Sequence, residues 1–532
     1  MSDQKDGRTP GISRRKFVTT VAATGAAFTI VPRHVLGRGL QAPSDTLNIA
    51  TVGINGQGFV NTRNLMSENI VAICDVDYSL LDNALARAKA AASAAGGAGA
   101  GQQRRRNPSK AQLEANAKRP ATDVTANTRK FVDQQMPKLT RYKDYREMLE
   151  KQKDIDGVII ATPDHMHAPI ALAAMDLGKH VYCQKPLCWS VHEARQLAQK
   201  AKANSKIVTQ MGNQGHSTDG ARTGQEYLAA GAIGDIREVH VWTNRPLGYW
   251  PQGIPRPAPL PPENPQRPLR WNGAGVDARL AAALAGNYPV PDGLSWDLFL
   301  GVAPEVEYHP IYHPFNWRGW VDWGQGALGD MGAHLIDHPF WGLDLGMPIE
   351  IETISTPFNG ASYPSATTTY YQFAARGKMP AVKMTWYDGG FNPPKPEEIG
   401  DEKLNGEGGV LYIGSKGKML QDTYGLNPRL LPQSLHDSFG DPKQKLARIV
   451  HEEHEMNWAE AIKGKAEISS PFSYAARLVE VMLLGVVSLR AGGKIAYDGA
   501  AGRVTSSVKN GNNTVDPNEF LTRGYRPGFK LT

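Results

Sequence analysis

Cysteine is scarce in this sequence. Only three cysteines, Cys74, Cys183 and Cys188, occur among the 532 residues. So small and odd a number excludes a disulfide framework, and all three have apolar neighbours along the chain. We therefore expect them to be packing residues.

The chain also lacks a basic face, although its net charge is +7. Residues 1–40 hold seven Lys/Arg and two Asp/Glu, and residues 91–140 hold nine and three, so the rest of the chain is net negative. A nucleic-acid-binding domain concentrates positive charge on the surface that meets the phosphates. Charge confined to two such segments argues against nucleic acid as a partner.

The N-terminus lacks a hydrophobic run long enough to cross a membrane. The uncharged stretch Thr19–Val31 has thirteen residues, whereas a spanning helix needs about 20. It follows a twin-arginine pattern, Ser13–Val18, which contains Arg14 and Arg15. A basic flank before a short apolar run predicts an export signal over residues 1–42. The hypothesis is a periplasmic or extracytoplasmic protein, exported folded, with no membrane contact beyond the signal. No A-x-A site follows, so the sequence leaves cleavage open.

Alternating strands and helices are present in the first part of the chain. The apolar runs 47–54, 70–74, 157–161, 180–183 and 207–211 are separated by helical patterns. This alternation predicts an α/β fold whose N-terminal domain, residues 43–212, is a Rossmann-type parallel sheet. Residues 93–139 interrupt it with a low-complexity and then basic tract, which we interpret as a partly disordered insertion.

After about residue 235, helices no longer separate the predicted strands. The runs 237–244, 349–356, 367–375 and 381–387 indicate a large, mostly antiparallel open sheet. They predict a C-terminal α+β domain over residues 213–500 that carries the substrate and catalytic groups. Within it, a proline-rich insertion (249–290) follows the surface or edges the site. Residues 501–532 are predicted to be a tail.

A glycine turn between the first strand and the first helix predicts a dinucleotide site. Gly56 would make the tight turn, and Gly58, after Gln57, would let the backbone approach a pyrophosphate at the helix N-terminus. Asn61 holds the position of the third glycine, which predicts looser packing of the helix on the strand. Asp75 ends the second strand, where a carboxylate accepts from the ribose hydroxyls and repels a 2′-phosphate, so NAD is favoured over NADP. A plain glycine turn with a capping aspartate is the alternative.

The run Thr162–His167 (TPDHMH) follows another predicted strand. Because the carboxyl ends of parallel strands face the nucleotide, we expect Thr162 and Pro163 to line the cofactor site. His167 would contact the nicotinamide or its ribose. Two histidines at i and i+2 could bind metal, but no third ligand is evident nearby, so no metal is predicted.

Lys185 ends a short apolar strand and directly precedes Pro186. Proline holds the preceding residue in an extended conformation, so the backbone itself places this lysine at the ligand-binding edge. Such a lysine is a candidate proton-transfer group, and Gln184 beside it is expected at the cofactor. A surface lysine that caps a strand is the alternative.

Asp330 and His334 lie four apart on a predicted helix and therefore share one face. A carboxylate beside an imidazole orients the ring and favours its charged form, which suits proton relay. A helix-surface ion pair is the alternative. The nearby Trp317, Trp320 and Trp323 are either platforms for sugar rings or core residues.

Together these segments resemble the Gfo/Idh/MocA oxidoreductase family. The resemblance covers parts of residues 46–140 and nearly all of 141–498. It is carried by the glycine turn with Asp75, by the runs TPDHMH (162–167) and QKP (184–186), and by GAIGDI (231–236), GDMGAH (329–334) and IGSKG (413–417). The family's usual motif is E-K-P, so Gln184 replaces a glutamate. By position, the resemblance implies that Lys185, Asp330 and His334 form the catalytic group.

The resemblance also implies a function. Family members bind NAD(P) tightly and transfer hydride at hydroxyl carbons, so the substrate would be a small sugar, polyol or glycoside. The family's open sheet often serves as a dimer face, which implies a homo-oligomer. An NAD-dependent glycosidase, which oxidises its substrate transiently and then eliminates the aglycone, is the alternative. A third hypothesis is that the protein binds sugars but has lost catalytic activity.

Overall fold

A computed structural model describes residues 45–93, 107–257 and 273–531 of the chain. The predicted export signal over residues 1–42 lies outside the described residues, as do residues 94–106 and 258–272 of the two predicted insertions. The elements below belong to residues 47–531.

Six parallel strands form the first sheet, in the order β3-β2-β1-β4-β5-β6. Its central strands are buried along nearly their whole length, as expected when helices cover both faces. The strand order reverses between β1 and β4, and such a reversal opens a crevice at the carboxyl ends of the strands. The strands are β1 (Asn48–Val52), β2 (Asn69–Cys74), β3 (Thr140–Tyr142), β4 (Gly157–Ile160), β5 (His180–Cys183) and β6 (Thr209–Met211).

Helices alternate with these strands, as predicted. They are α1 (Gln57–Asn64), α2 (Tyr78–Ser93), α3 (Lys110–Asn116), α4 (Val124–Lys130), α5 (Tyr145–Lys151), α6 (His167–Asp176), α7 (Val191–Ala203) and α8 (Asp219–Ala229). Cys74, Cys183 and Cys188 are free and buried, which confirms their role as packing residues.

Nine strands form the second sheet, in the order β13-β12-β11-β7-β10-β9-β8-β14-β15. Neighbours are antiparallel except β7 and β10, which pair in parallel. The predicted α/β fold with a mostly antiparallel second sheet is confirmed. The strands are β7 (Ile236–Thr243), β8 (Glu350–Ser355), β9 (Thr367–Phe373), β10 (Val382–Tyr387), β11 (Gly408–Gly414), β12 (Lys418–Asp422), β13 (Arg429–Leu431), β14 (Ile495–Asp498) and β15 (Arg503–Val504), while β16 (Val508–Asn510) and β17 (Asn513–Val515) form a separate hairpin.

The helices that accompany the second sheet are α9 (Gly273–Leu284), α10 (Trp296–Leu300), α11 (Gly326–Leu335), α12 (Asp337–Gly342), α13 (Gln433–Phe439), α14 (His454–Ile462) and α15 (Phe472–Ala491). Helix α15 connects the two sheets. Its Glu480 pairs with Arg195 of α7 at 2.6 Å, and its Ser488 accepts from the backbone N–H of Thr353 on β8 at 2.9 Å.

Helix α15 is also apolar enough to cross a membrane, but 83% of its apolar stretch is buried inside the fold. A helix that is hydrophobic all round is expected in a core that covers it on every side.

Two segments are more ordered than the sequence predicted. Residues 107–139 of the predicted insertion form α3, α4 and a short π-helical turn, and they bury Phe131, Val132 and Met136 against the first sheet. The predicted tail, 501–532, buries Leu521 and Phe529 in the main core. In both segments the few apolar residues are widely spaced among polar ones, so no clear periodicity marks them in the sequence.

Candidate active site

A cavity of about 680 Å³ lies at the carboxyl ends of the first sheet. Helix α11 and the loops that carry Trp250, Phe315 and Trp317 border its other side. Sequence-predicted residues from five separate segments border it: Gly56, Gln57, Asp75, Thr162, Pro163, His167, Gln184, Lys185, Asp330 and His334. Gly58 does not border the cavity but packs against Gly53, which does. Four of these segments follow strands of the first sheet, whose carboxyl ends meet at one edge. The fifth, with Asp330 and His334, belongs to α11, which borders the cavity as well.

The glycine motif begins at Gly53, three residues earlier than the sequence analysis predicted. Gly53 has φ +80°, and a Cβ there would lie 2.7 Å from the backbone of Ala161. A Cβ on Gly58 would lie 1.8 Å from the carbonyl oxygen of Gly53. Gly53 therefore makes the tight turn, and Gly58 allows the close approach of helix to strand that is the task of a third glycine. Asn55 stands where the second glycine would be.

Asn61 does not loosen the helix packing, contrary to prediction. It is fully buried on α1, and its Oδ1 accepts from Gln184 Nε2 at 2.9 Å. Its Nδ2 donates to Glu455 Oε1 at 2.6 Å. The buried amide thus connects α1 with the end of β5 and with α14, and Gln184 serves this connection as well as bordering the cavity.

Asp75 is held rigidly at the end of β2. Its Oδ2 accepts from the backbone and side-chain nitrogens of Asn55 at 3.3 and 3.2 Å, and its Oδ1 accepts from the backbone N–H of Asp77 at 3.1 Å. Burial raises the pKa of Asp75 to about 6, against the opposing effect of these hydrogen bonds. The carboxylate is thus ionised at neutral pH, with lone pairs left for ribose hydroxyls. The glycine turn, whose Asn55 side chain is tied back to Asp75, and this acceptor together fit a dinucleotide.

His167 borders the cavity, where a cofactor contact is predicted, and both of its ring nitrogens face backbone carbonyls. Its Nδ1 lies 2.7 Å from the carbonyl oxygen of Pro186, and its Nε2 lies 2.8 Å from that of Thr162. Burial lowers its pKa to about 4, against the two carbonyls, which favour the protonated ring; the neutral ring donates to only one of them. Both nitrogens face backbone carbonyls, and the histidine therefore positions the chain after β4 and β5. Among the described residues, no group of three His, Cys, Asp or Glu is arranged to hold a metal ion.

Lys185 and Asp330 form a close ion pair at the centre of the cavity. Lys185 Nζ donates to Asp330 Oδ1 at 2.6 Å and to the Asp330 carbonyl oxygen at 3.0 Å. Burial would raise the pKa of Asp330, but the charges of Lys185 and Arg318 outweigh it and lower the pKa to about 2. The lysine is thus anchored by a carboxylate that stays ionised.

His334 is neutral, not charged as predicted. Burial lowers its pKa to about 3, and the nearby charge of Lys185 adds to the effect. Although Asp330 lies one turn earlier on α11, its carboxylate binds Lys185. The buried His334 Nδ1 has no hydrogen-bond partner within the described part of the chain, and the ring packs edge-on against Tyr424, with centroids 4.8 Å apart.

Asp164 is a cavity residue that the sequence analysis did not single out. It lies inside the TPDHMH run, is buried, and borders the cavity. Burial raises its pKa to about 8, although Arg318 and Lys185 oppose the shift. This carboxyl is therefore protonated at neutral pH.

Two arginines at the cavity were also missed. Arg245 lies two residues after the end of β7, and Arg318 lies between two of the tryptophans noted in the sequence. Of these tryptophans, Trp320 and Trp323 are core residues, while Trp317 borders the cavity. The aromatic residues beside each arginine were the available signal, since guanidinium groups stack on aromatic faces.

The site matches known proteins in sequence. Residues 97–211 match the model of an oxidoreductase family with an NAD-binding Rossmann fold, and residues 281–376 match the model of that family's C-terminal α/β domain. A levoglucosan dehydrogenase from Pseudarthrobacter phenanthrenivorans is 37% identical over 93 residues, which are 18% of this chain and 23% of the relative. A glycosyl hydrolase family 109 protein from a Shewanella species is 26% identical over 200 residues, 36% of this chain and 35% of the relative. The matches therefore span about a quarter to a third of the length of these curated relatives.

Solved structures of similar proteins cover more of the chain. The WlbA dehydrogenase from Chromobacterium violaceum, solved with NADH, has a TM-score of 0.49 and 14% identity, and the match covers 85% of this chain and 96% of that one. An inositol dehydrogenase homolog from Azotobacter vinelandii, also solved with NADH, has a TM-score of 0.45 and 15% identity, covering 85% and 98%. Residues 97–211 and 281–376 thus match the two domain models of the Gfo/Idh/MocA oxidoreductase family, in the order of the family's domains.

Proposed function

We propose that this protein is an NAD-dependent oxidoreductase that transfers hydride between the nicotinamide and a hydroxyl carbon of a sugar or polyol. One observation carries the proposal: a single cavity joins a dinucleotide turn and its Asp75 to the Lys185–Asp330 pair and His334. The match to the family's N-terminal model, which is described as NAD-binding, supports it.

The residues that would hold NAD are those of the glycine turn and Asp75. The turn between Gly53 and Gly58 would receive the pyrophosphate at the start of α1, and Asp75 would accept from the adenine ribose. When bound, NAD supplies the carbon that accepts or returns the hydride.

Lys185 would carry the proton that accompanies the hydride. In reduction, its ammonium gives a proton to the carbonyl oxygen; in oxidation, its amine takes the proton of the hydroxyl, and Asp330 stabilises the charged form that results. The neutral His334 adds no charge and can orient the same oxygen. Acid–base assistance of this kind contributes roughly 10² to 10⁴ in rate.

Replacing the lysine tests the proposal. Lys185→Met should lower NADH formation from sugars or polyols by roughly 10² to 10⁴, while the affinity for NAD, measured by calorimetry, stays close to that of the wild type. Lys200→Met, which removes a lysine from an ion pair on the outer face of α7, is the matched control. Undiminished turnover in Lys185→Met would remove the lysine from the mechanism, and failure of the wild type to bind NAD would refute the function.

The glycosidase alternative is motivated by the partial match to a family 109 protein. Aryl glycosides separate the two activities. Release of the aglycone without net NADH would favour the glycosidase, whereas NADH accumulation from free sugars supports the dehydrogenase.

We also propose that the protein is exported by the twin-arginine route, on the pattern around Arg14 and Arg15, and works in the periplasm in carbohydrate metabolism. In that case replacing both arginines by lysine should leave the protein in the cytoplasmic fraction. We propose in addition a homo-oligomer that pairs through the open second sheet, as the family resemblance implies, and light scattering of the purified protein tests it.

A further inference from the structure

At the end of the cavity that holds Lys185, the positive side chains outnumber the carboxylates. Arg245 and Arg318 border the cavity together with Lys185. Their Nε atoms lie 3.9 and 4.0 Å from the two oxygens of Asp330, beyond hydrogen-bonding distance, whereas Lys185 Nζ lies 2.6 Å from Oδ1. Asp330 is thus the carboxylate of the cavity that both guanidinium groups approach.

Asp164, the other carboxyl near Lys185 and Arg318, does not neutralise this positive charge. Asp164 is protonated at neutral pH because burial raises its pKa to about 8. Three cationic side chains therefore surround a single ionised carboxylate, Asp330. Charge that is partly removed from water and left uncompensated is costly, so a ligand that brings negative charge would stabilise this arrangement.

Both guanidinium groups are held in place without using all their donors. Arg245 lies 3.4 Å above the ring of Tyr249, and its Nη1 donates to the side chain of Asn244. Arg318 lies 4.2 Å above the ring of Trp317, and its Nη1 donates to the carbonyl oxygen of Phe315 at 3.1 Å. Their side chains are only 14% and 24% exposed. Guanidinium groups held in this way are suited to bind a carboxylate or a phosphate through paired hydrogen bonds.

We infer that the substrate is an anionic sugar or polyol whose carboxylate or phosphate binds between Arg245 and Arg318, while Lys185 meets the reacting hydroxyl. The inference rests on the proposed function, since it names the substrate class of that same cavity. The two arginines face opposite oxygens of Asp330, so a ligand next to Asp330 can meet both. The rings of Tyr249 and Trp317, which border the same cavity, offer apolar surface to the sugar ring.

Matched sugars test the inference. Each neutral hexose (glucose, galactose, mannose) is compared with its uronate and its 6-phosphate, in binding to the NAD-loaded full chain by calorimetry and in NADH formation. We expect at least one uronate or sugar phosphate to bind at least tenfold more tightly than its neutral counterpart. Comparing the affinities of the uronates with those of the 6-phosphates shows whether the site binds a carboxylate or a phosphate.

Variants identify the anion contacts. Arg245→Gln and Arg318→Gln should each weaken binding of the preferred anion roughly ten- to a hundredfold, the usual loss for a charged hydrogen bond, with little effect on the neutral sugar. Arg429→Gln, which breaks an ion pair with Glu402 outside the cavity, should change neither. Neutral sugars that bind as well as their anionic counterparts, or arginine variants that weaken both alike, would overturn the inference.

Different experimental results would refute the anion site and the proposed oxidoreductase activity. NADH formed equally well from neutral and anionic sugars leaves the oxidoreductase intact and refutes the anion site. Tight, arginine-dependent binding of an anionic sugar without any NADH supports the anion site and counts against the oxidoreductase.

Discussion

Individual side chains in this cavity owe their charge state to their surroundings more than to their type. Asp330 stays ionised because Lys185 lies 2.6 Å away, whereas Asp164, in the same cavity, is protonated at neutral pH because burial dominates. Asp75 lies between these limits, with a pKa of about 6. Both Asp75 and Asp164 therefore change charge within the pH range that experiments can reach, Asp75 near pH 6 and Asp164 near pH 8.

Asp75 should control the choice between NAD and NADP in a pH-dependent way. Its raised pKa keeps it ionised at pH 8 and protonated at pH 5, and only the ionised form repels a 2′-phosphate. The preference for NAD over NADP, measured as the ratio of their Kd values, should be roughly tenfold or more at pH 8 and should decline as the pH falls through 6.

Asp75→Asn provides the control for this prediction. The variant should show little preference for NAD over NADP at pH 8. Any pH dependence of the Kd ratio that remains in the variant comes from titration of the 2′-phosphate of NADP. Equal pH profiles for the wild type and the variant would mean that Asp75 does not face the 2′ position.

At the scale of elements, the C-terminal segment is a structural part of the nucleotide domain. Phe529 is buried, and Arg146 of α5 lies 4.4 Å above its ring and donates to the carbonyl oxygen of Gly528 at 2.8 Å. Arg526 pairs with Asp297 at the start of α10. The last residues of the chain therefore fasten α5 to the loop region that closes the cavity.

Phe529→Ala should destabilise the protein measurably. Loss of a buried phenylalanine costs about 3 kcal/mol or more, and denaturant unfolding gives the difference directly. Lys530→Ala, at the exposed neighbouring position, should stay within about 0.5 kcal/mol of the wild type. A similarly small change for Phe529→Ala would restore the view of this segment as a loose tail.

At the scale of the whole molecule, the two sheets share one core. A single hydrophobic cluster holds Ala50 and Val158 of the first sheet, Val239 and Met384 of the second, and most of α15. Residues Leu47–Thr532 accordingly form one compact unit. Because α15 belongs to both halves, neither sheet can keep its buried face covered once the other unfolds.

Heating should therefore unfold both halves together. Calorimetry should show one transition, and NAD at about 100 times its Kd should stabilise the whole unit by about 2.7 kcal/mol through binding to the folded state alone. Tryptophan fluorescence, which includes Trp242 and Trp386 of the second sheet, should follow the same shift. Two transitions, of which NAD moves only one, would contradict a shared core.

Much of the site could be predicted because it depends on local pattern and on one property of parallel sheets. Strand periodicity located β1, β4 and β5, and their carboxyl ends must meet at one edge, so the glycine turn, Thr162 and Lys185 were expected together. Helical spacing placed Asp330 and His334 on one helix. None of these steps requires knowledge of how the two domains pack.

The remaining features depend on contacts between residues far apart in the chain. The sequence by itself determined the α/β class, the strand-end residues and the family; only the tertiary structure decided that Gly53 and Gly58 flank the turn, that Asp330 binds Lys185 rather than His334, and that Arg245 and Arg318 enter the cavity. The physical reason is that the space for a Cβ, the charge of an imidazole and the partner of a carboxylate are set by neighbours and by burial, which no local pattern records.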